Sequence, residues 1–553
     1  MKISLVTIAA ATDSPYYFQP IRGCEHGGIS ALASFLRRAE HTTQVIDGAA
    51  LSLALPEVLS RLVAFNADVV GFSPTLASMK EALKLSDDVK QWASPPVVIM
   101  GGHHATLCAE AILAAEHTVD FIFCGEAENS LVDFLENLKD GDLDEINGII
   151  CRRRVGMQQK ASCAVVEDLD QLPHSDRDTL CELKEHSPIV GTTIQSSRGC
   201  PFNCTFCTSP IFYQNGPKYR KHSPQYVADE MERVCKEHDV HLFNFTDDLF
   251  LPAGKTHMNW GYEFANEVTR RRLAVAFSVM VRAELFQPKY SELFHHLKKA
   301  GLHQVLIGIE NVSHKSLSKY NKGTKVSDYV TAVGCLESID TFLVSAFINL
   351  NPFLTRKDFL RNVDFLSNIV KDPTMFQYIS RLVVFPGTPM EKLLRKEELL
   401  VDTGRPYVDG LNYRFLDPSV QVLADGFESV SGAPFPADSL IEEIQHLMAH
   451  SRAVDILSNH EYCDLFKHTR RLRKALSKNH SAIMRKCINL ADTLDSKAIA
   501  DTIKSYYASS HDGILKNLSA LKNELQNTAT SFTSIGLDQG LAQHRHQQGS
   551  AHP

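Results

Sequence analysis

Over the first 140 residues, short apolar runs alternate with stretches of helical periodicity, and little chain is left between them. KISLVTIA (2–9), TQVIDG (43–48), DVVGFS (68–73), PVVIMGG (96–102) and DFIFCG (120–125) are the apolar runs, most of them ending in Gly or Ser. A strand buried on both faces reads as such a run, whereas a strand with one wet face alternates. Between them, apolar residues recur at helical spacing, most clearly at Leu131, Phe134, Leu135 and Leu138. Five buried strands with helical crossovers predict an α/β, doubly wound parallel sheet over residues 1–140. Its ligands are expected beyond the carboxyl ends of the strands, at the switch point.

Residues 141–189 read as a linker with a small β excursion, INGIICRRR and then ASCAVVEDLD, that closes on QLPHSDRD. Pro173 and turn-forming Asp and Ser residues give that piece stiffness without a core of its own. From 190 to 415 the alternation resumes. GTTIQSS (191–197), HLFNFTDD (241–248), VAFSVMVRAE (275–284), QVLIGIE (304–310), TFLVSAFINL (341–350) and FQYISRLVVF (376–385) are candidate strands. Ser223-Pro224, Pro288 and Thr355 mark helix starts, and Gly301 closes the helix holding Leu293 and Leu297. Six repeats predict a partial (β/α)6 barrel with functional residues at the carboxyl ends of its strands.

Residues 416–527 form a mainly helical C-terminal region. Its basic stretch KHTRRLRKALSKNHSAIMRK (467–486) reads either as a solvated helix face or as a surface for phosphate, an acidic substrate or a partner. The segment 528–553 reads as a disordered tail, and its His544-Arg545-His546 stands too isolated for a metal site. At 553 residues the chain has room for about three to four domains. A net charge of −8 gives no electrostatic argument for nucleic acid or an anionic membrane. No apolar run reaches the roughly 18 residues of a membrane span, and the N-terminus does not resemble a signal peptide. Thirteen cysteines without close pairing favour a reducing, cytoplasmic setting.

The chemistry concentrates in SSRGCPFNCTFCTSP (196–210), where Cys200, Cys204 and Cys207 stand in a C-x3-C-x2-C spacing on a loop opened by Gly199 and Pro201. Three soft thiolates on one loop select zinc or an iron–sulfur cluster. Zinc would need a fourth protein ligand, commonly from a second paired motif, and none follows. Three ligands suit a [4Fe-4S] cluster with one iron left open. Polar residues also sit at the carboxyl ends of candidate strands: Asp247 and Asp248, Arg282 and Glu284, Glu310, Asn349 and Asn351. A charge inside an apolar run needs a pair or a ligand. Arg282 suits a carboxylate through its guanidinium fork, Glu310 suits hydroxyls, and ion pairs inside the barrel are the alternative for each.

With Phe206 just before the third cysteine, C-x3-C-x-F-C resembles the signature of radical S-adenosylmethionine (radical SAM) enzymes. The resemblance implies that S-adenosylmethionine chelates the open iron and is cleaved to a 5′-deoxyadenosyl radical. It places Phe206, Asp247, Arg282 and Glu310 around that cofactor, with Arg282 on the methionyl carboxylate and Glu310 on the ribose. RAE and GIEN resemble family segments, as do FPGTPM (385–390) at the barrel mouth and QLPHSDRD in the linker. Ser73-Pro74-Thr75-Leu76 after the third strand, Gly101-Gly102-His103-His104-Ala105-Thr106 after the fourth and GEAEN (125–129) after the fifth resemble the Rossmann-like cobalamin-binding domain that precedes many radical SAM domains. Ser73, Thr75, Leu76, Gly101, Gly102, His103 and Glu126 are its candidate contacts. RGCEHGG, Arg22 to Gly28, departs from the family's D-x-H-x-x-G, so His26 is expected to be a loop histidine near a helix start instead of a cobalt ligand.

The resemblance implies a cobalamin-dependent radical SAM enzyme, a methyltransferase acting on an unactivated carbon of a small molecule or peptide by way of methylcobalamin. It also implies an external electron donor of flavodoxin or ferredoxin type. Cyclases and rearrangement enzymes share the architecture. A methylthiotransferase would need a second cluster, for which Cys24, Cys108 and Cys124 have no motif. A non-enzymatic cobalamin sensor would not need the cysteine triad.

Overall fold

The computed structural model describes residues 1–10, 24–139, 143, 146–155, 164–186, 190–430, 436–454, 457–493, 495–509 and 515–527. Strands β1 (Lys2–Thr7), β2 (Thr42–Asp47), β3 (Val69–Phe72), β4 (Val97–Met100), β5 (Phe121–Phe123) and β6 (Ile149–Cys151) form a sheet in the order β2-β1-β3-β4-β5-β6. β1 to β5 are parallel. Their runs are continuously apolar because successive residues enter opposite cores, Leu5 and Val69 one, Val6 and Val70 the other. The order reverses between β1 and β3, which puts the switch-point crevice beyond their carboxyl ends.

One element departs from the linker expectation. Ile149–Cys151 pairs antiparallel with β5 and completes this sheet. Three residues carry no readable period; the free edge of β5 is what fixes them. Residues 161–163 of the second β candidate lie outside the described residues, as do Arg22, Gly23 and the tail 528–553 with His544 to His546.

β7 (Gly191–Ile194) leads into a hairpin, β8 (Ser197–Gly199) with β9 (Tyr219–Lys221). β10 (Leu242–Phe245), β11 (Ala276–Val281), β12 (Leu302–Glu310) and β13 (Phe342–Phe347) then extend β7 into a parallel sheet in chain order. The sixth repeat is shorter than FQYISRLVVF suggests. Met375–Ile379 is helical because Thr374 and Gln377 form a capping box, with the Thr374 N–H donating to Gln377 Oε1 at 2.7 Å. Extended backbone starts only after it. There Leu350 bridges Arg381 in parallel, donating to the Ser380 carbonyl at 2.9 Å and accepting from the Leu382 N–H at 2.8 Å.

The C-terminal helices stand under the barrel. In the helix Pro436–Ala453, Ala449 packs on Leu242 and Ala276, the first residues of β10 and β11. In the helix Asn459–Leu490, Tyr462 and Phe466 pack with Phe342 at the start of β13. The amino end of the barrel is therefore floored, and the carboxyl end is left for chemistry. The basic stretch lies in this second helix. Arg470 pairs with Asp372 at 3.2 Å and with Glu337, while Arg473 donates to the Asp372 carbonyl at 2.7 Å and Arg485 pairs with Asp364. Part of that stretch thus fastens helix to barrel, which neither sequence reading foresaw. Among the described residues, no helix is long and apolar enough to cross a membrane.

Candidate active site

The cysteine loop hangs from the β8–β9 hairpin. Gly199 holds φ +83°, and a Cβ there would lie 2.3 Å from the Lys218 carbonyl oxygen, so only glycine can open the loop. Asp247, 1% exposed, fixes its base by accepting from the Ser196 N–H at 2.9 Å and the Ser197 hydroxyl at 2.6 Å. Its second oxygen takes the Ser196 hydroxyl at 3.1 Å. Burial pushes this carboxyl above its ordinary value, against the pull of Lys221. With both oxygens engaged, Asp247 positions the base of the loop, a role beyond the cofactor contact expected of it. On the outer side, the Thr205 N–H donates to the Tyr320 carbonyl and the Met390 N–H to the Thr205 carbonyl, each at 2.9 Å. Phe206 sits edge-on to Tyr320, ring centroids 5.3 Å apart. The segment FPGTPM therefore shapes the barrel mouth by holding the cysteine loop.

The three cysteines are half-buried free thiols that feel one another's charge. Burial pushes Cys207 up to about 12, with Asp248 adding to it, and moves Cys200 the same way. Cys200 and Cys207, so raised, stay protonated on their own; a cationic iron–sulfur centre would deprotonate them. Among the described residues, no three His, Cys, Asp or Glu close on one ion.

Arg282, just past β11, points Nη1 at Cys204 Sγ, 3.8 Å away, and stacks over the Phe202 ring at 3.8 Å. Its Nη2 pairs with Glu284 at 2.6 Å and donates to Thr324 at 2.9 Å. The guanidinium is thus anchored on one edge and faces the cysteine loop with the other. Glu310 ends β12 at φ +62° beside a bulge and pairs with Lys322 at 2.8 Å. Asn349 and Asn351 are buried framework, donating to the Tyr378 carbonyl at 2.5 Å and the Ser316 hydroxyl at 3.2 Å.

Across from the loop, a cavity of about 940 Å³ lies over the switch point. Ser73, Thr75, Leu76, Gly101, Gly102, His103 and Glu126 all border it. Gly102 holds φ +87°, a conformation that favours glycine, and a Cβ there would lie 3.1 Å from Ser73 Oγ. Leu5, Ile99 and Phe123 supply apolar lining. His103 reaches across: its ring stacks on Phe212 at 3.9 Å and 6°, with Nδ1 3.4 Å from Thr208 Oγ1. Phe212 belongs to the short helix Ser209–Phe212 that follows the third cysteine. The cavity and the cysteine loop therefore share a wall, and Phe206, Asp247, Arg282 and Glu310 are not among the residues that line the cavity. His104 turns away, its Nε2 2.8 Å from the Tyr407 carbonyl.

His26 caps the helix Gly27–Arg38, its Nδ1 accepting from the Ile29 N–H at 3.3 Å. An amide can only donate, so Nδ1 is the acceptor in this cap.

An ionic seam between the domains was missed in the sequence. Glu126 pairs with Arg220 at 2.6 Å and Arg198 at 3.4 Å, and Glu128 pairs with Arg198 at 2.7 Å, all four residues buried. Arg198 is in β8 and Arg220 in β9, so carboxylates just after β5 grip the hairpin that carries the cysteines. Burial would raise the Glu128 carboxyl; the charge and hydrogen bond of Arg198 outweigh it and hold it low. Glu126 borders the cavity and also gives its oxygens to arginines. In a second seam, Arg177 pairs with Glu25 and, at 2.6 Å, with Glu230. GEAE was legible only as a family-like segment, and its pairing with the arginines of β8 and β9 was not.

Known proteins resemble this chain in the same two parts. The B12 binding domain matches residues 24–135, and the radical SAM superfamily matches residues 194–366. An uncharacterized methyltransferase of Pyrococcus horikoshii is 24% identical over 73% of this chain and 84% of its own length. The anaerobic magnesium-protoporphyrin IX monomethyl ester cyclase of Synechocystis is 24% identical over 66% of this chain and 73% of its own. The solved structure of OxsB, a cobalamin-dependent S-adenosylmethionine radical enzyme with aqua-cobalamin and S-adenosylmethionine bound, shares the fold, with a TM-score of 0.68 at 17% identity, over 97% of this chain and 81% of that one.

Proposed function

Since the chain belongs to the family of radical SAM enzymes with a cobalamin-binding domain, we propose that it is a methyltransferase acting on an unactivated carbon of a small molecule or peptide. The observation that carries this reading is the shared wall, His103 on Phe212, between the switch-point cavity and the helix following Cys207. When bound, the [4Fe-4S] cluster, S-adenosylmethionine and cobalamin supply one-electron cleavage and methyl carriage. The protein supplies placement. Cys200, Cys204 and Cys207 would hold three irons and leave the fourth for S-adenosylmethionine. Arg282 Nη1 would take the methionyl carboxylate, and Glu310 the ribose, in competition with Lys322. Ser73, Thr75, Leu76, Gly101 and Gly102 would receive the corrin along the backbone, with His103 and Phe212 excluding water at the edge.

The setting proposed is cytoplasmic, with an external flavodoxin- or ferredoxin-type donor. A cyclase without methyl transfer is the second reading, favoured by the likeness to the Synechocystis enzyme. Product mass separates them: the anaerobically reconstituted enzyme should return its substrate heavier by one methylene unit. A product lighter by hydrogens, with no methyl gained, would establish the cyclase reading instead.

A further inference from the structure

The segment that carries the cysteines has two sides. On one, Thr208 and Phe212 border the cavity. On the other, Pro201 and Asn203 are exposed, and two stretches of chain frame them. The first is the β8–β9 hairpin, where Tyr219 pairs with Gly199 and so brings Lys218 beside the start of the loop. The second runs from the helix His314–Lys319 to Lys325. There the Lys319 carbonyl accepts from the Thr205 hydroxyl at 2.7 Å, and Asn321 Nδ2 donates to the Asn203 carbonyl at 2.9 Å.

Both framing stretches lack acid. Residues 190–228 and 311–327 contain no Asp or Glu, in a chain whose net charge is −8. Arg198, Arg220 and Lys322 in these stretches are buried and paired. Lys218, Lys315 and Lys325 are exposed, and among the described residues they form no ion pair. Of the acids that reach this frame, Glu397 pairs with Lys319 at 3.3 Å, and Asp328 accepts from the Lys325 N–H at 2.9 Å. Like charges left unpaired around one opening set up a local positive field, although the molecule as a whole is negative. Such a field steers an acidic partner to the opening, and weak electron-transfer contacts are small enough to rest on a face of this kind.

We propose that this outer face docks a small acidic electron-carrier protein. One electron leaves the carrier's reduced centre and is taken up at the site of Cys200, Cys204 and Cys207, with no bond formed or broken and no proton moved. This rests on the proposed radical SAM reading, which it deepens by placing the donor on named residues.

The test is a calorimetric titration of the enzyme, reconstituted anaerobically with iron, sulfide and cobalamin, with flavodoxin as the probe. Flavodoxin should bind saturably at low ionic strength, and about tenfold or more weakly at about 0.3 M salt. The Lys218→Glu, Lys315→Glu, Lys325→Glu variant should bind it about tenfold or more weakly than wild type, and each single variant a few-fold more weakly. Lys478→Glu, an exposed cation of the helix Asn459–Leu490 under the barrel, should bind it as wild type does. Iron and cobalamin content, measured on the same samples, show that each variant is assembled. Equal affinity in wild type and the assembled triple variant, affinity indifferent to salt, or tighter binding of a single-stranded oligonucleotide than of flavodoxin would overturn the proposal. With titanium(III) citrate, a reductant that needs no docking face, the triple variant should form 5′-deoxyadenosine from S-adenosylmethionine as fast as wild type. Failure of the wild type to form it would overturn the underlying reading instead, independently of the titration.

Discussion

The two edges that meet at this site are built on opposite principles. The switch-point edge of the first sheet is apolar and glycine-rich, and its polar side chains are turned to structural work: His26 caps a helix, His104 meets a carbonyl, Glu126 and Glu128 grip arginines. The barrel mouth is dense with compensated charge, Arg282 with Glu284 and Glu310 with Lys322. A large, preassembled ligand can be held by surface and shape. A small charged cosubstrate on a cluster needs charges fixed beforehand, because a buried charge is costly unless paired or ligated. The ionic seam sets one edge against the other, since it joins the residues after β5 to β8 and β9.

The contrast can be broken on either side. The largest effect belongs to the cysteines: reconstituted wild type should hold about four irons and four sulfides per chain, and the Cys200→Ala, Cys204→Ala, Cys207→Ala variant almost none, with cobalamin retained. Stoichiometric zinc without iron would refute the cluster. Next is the glycine edge. Gly102→Trp should abolish cobalamin binding by filling the approach to the backbone, while iron content stays. Undiminished cobalamin would show that the corrin lies elsewhere.

Arg282→Ala comes third, weakening S-adenosylmethionine binding by about 2–5 kcal/mol with iron and cobalamin loading intact. The titration of 5′-deoxyadenosine formation against S-adenosylmethionine reads this out. Coincident curves would make Arg282 an ion-pair residue for Glu284 alone. The smallest effect is expected of His26→Ala, which removes a helix cap worth about 1 kcal/mol and leaves the cobalamin spectrum unchanged. A shifted cobalt spectrum would make His26 a ligand after all.

Much of this was legible in the sequence, and the exceptions share a cause. β1 to β5 were readable because strands buried on both faces must be continuously apolar, and the cysteine loop because its spacing is local. Met375–Ile379 misled because its β-like composition is overridden by a capping box four residues long. The roles of Asp247, Glu126 and the basic helix were hidden for another reason. Their partners are distant in the chain: Asp247 meets Ser196 and Ser197, Glu126 meets Arg198 and Arg220, Arg470 meets Glu337 and Asp372. A single charge can be flagged as needing a partner, but only the fold says whether that partner is a ligand or another side chain.

On the proposed reading, the switch-point cavity and the cysteine loop would place two cofactors within reach of one another. Electron paramagnetic resonance on wild-type enzyme carrying cob(II)alamin tests it directly, recorded with the cluster oxidised and again with the cluster reduced. The shared wall of His103 and Phe212 predicts that reducing the cluster broadens or splits the cob(II)alamin signal through magnetic coupling. A cob(II)alamin signal unchanged by cluster reduction, with both cofactors present in full, would contradict it.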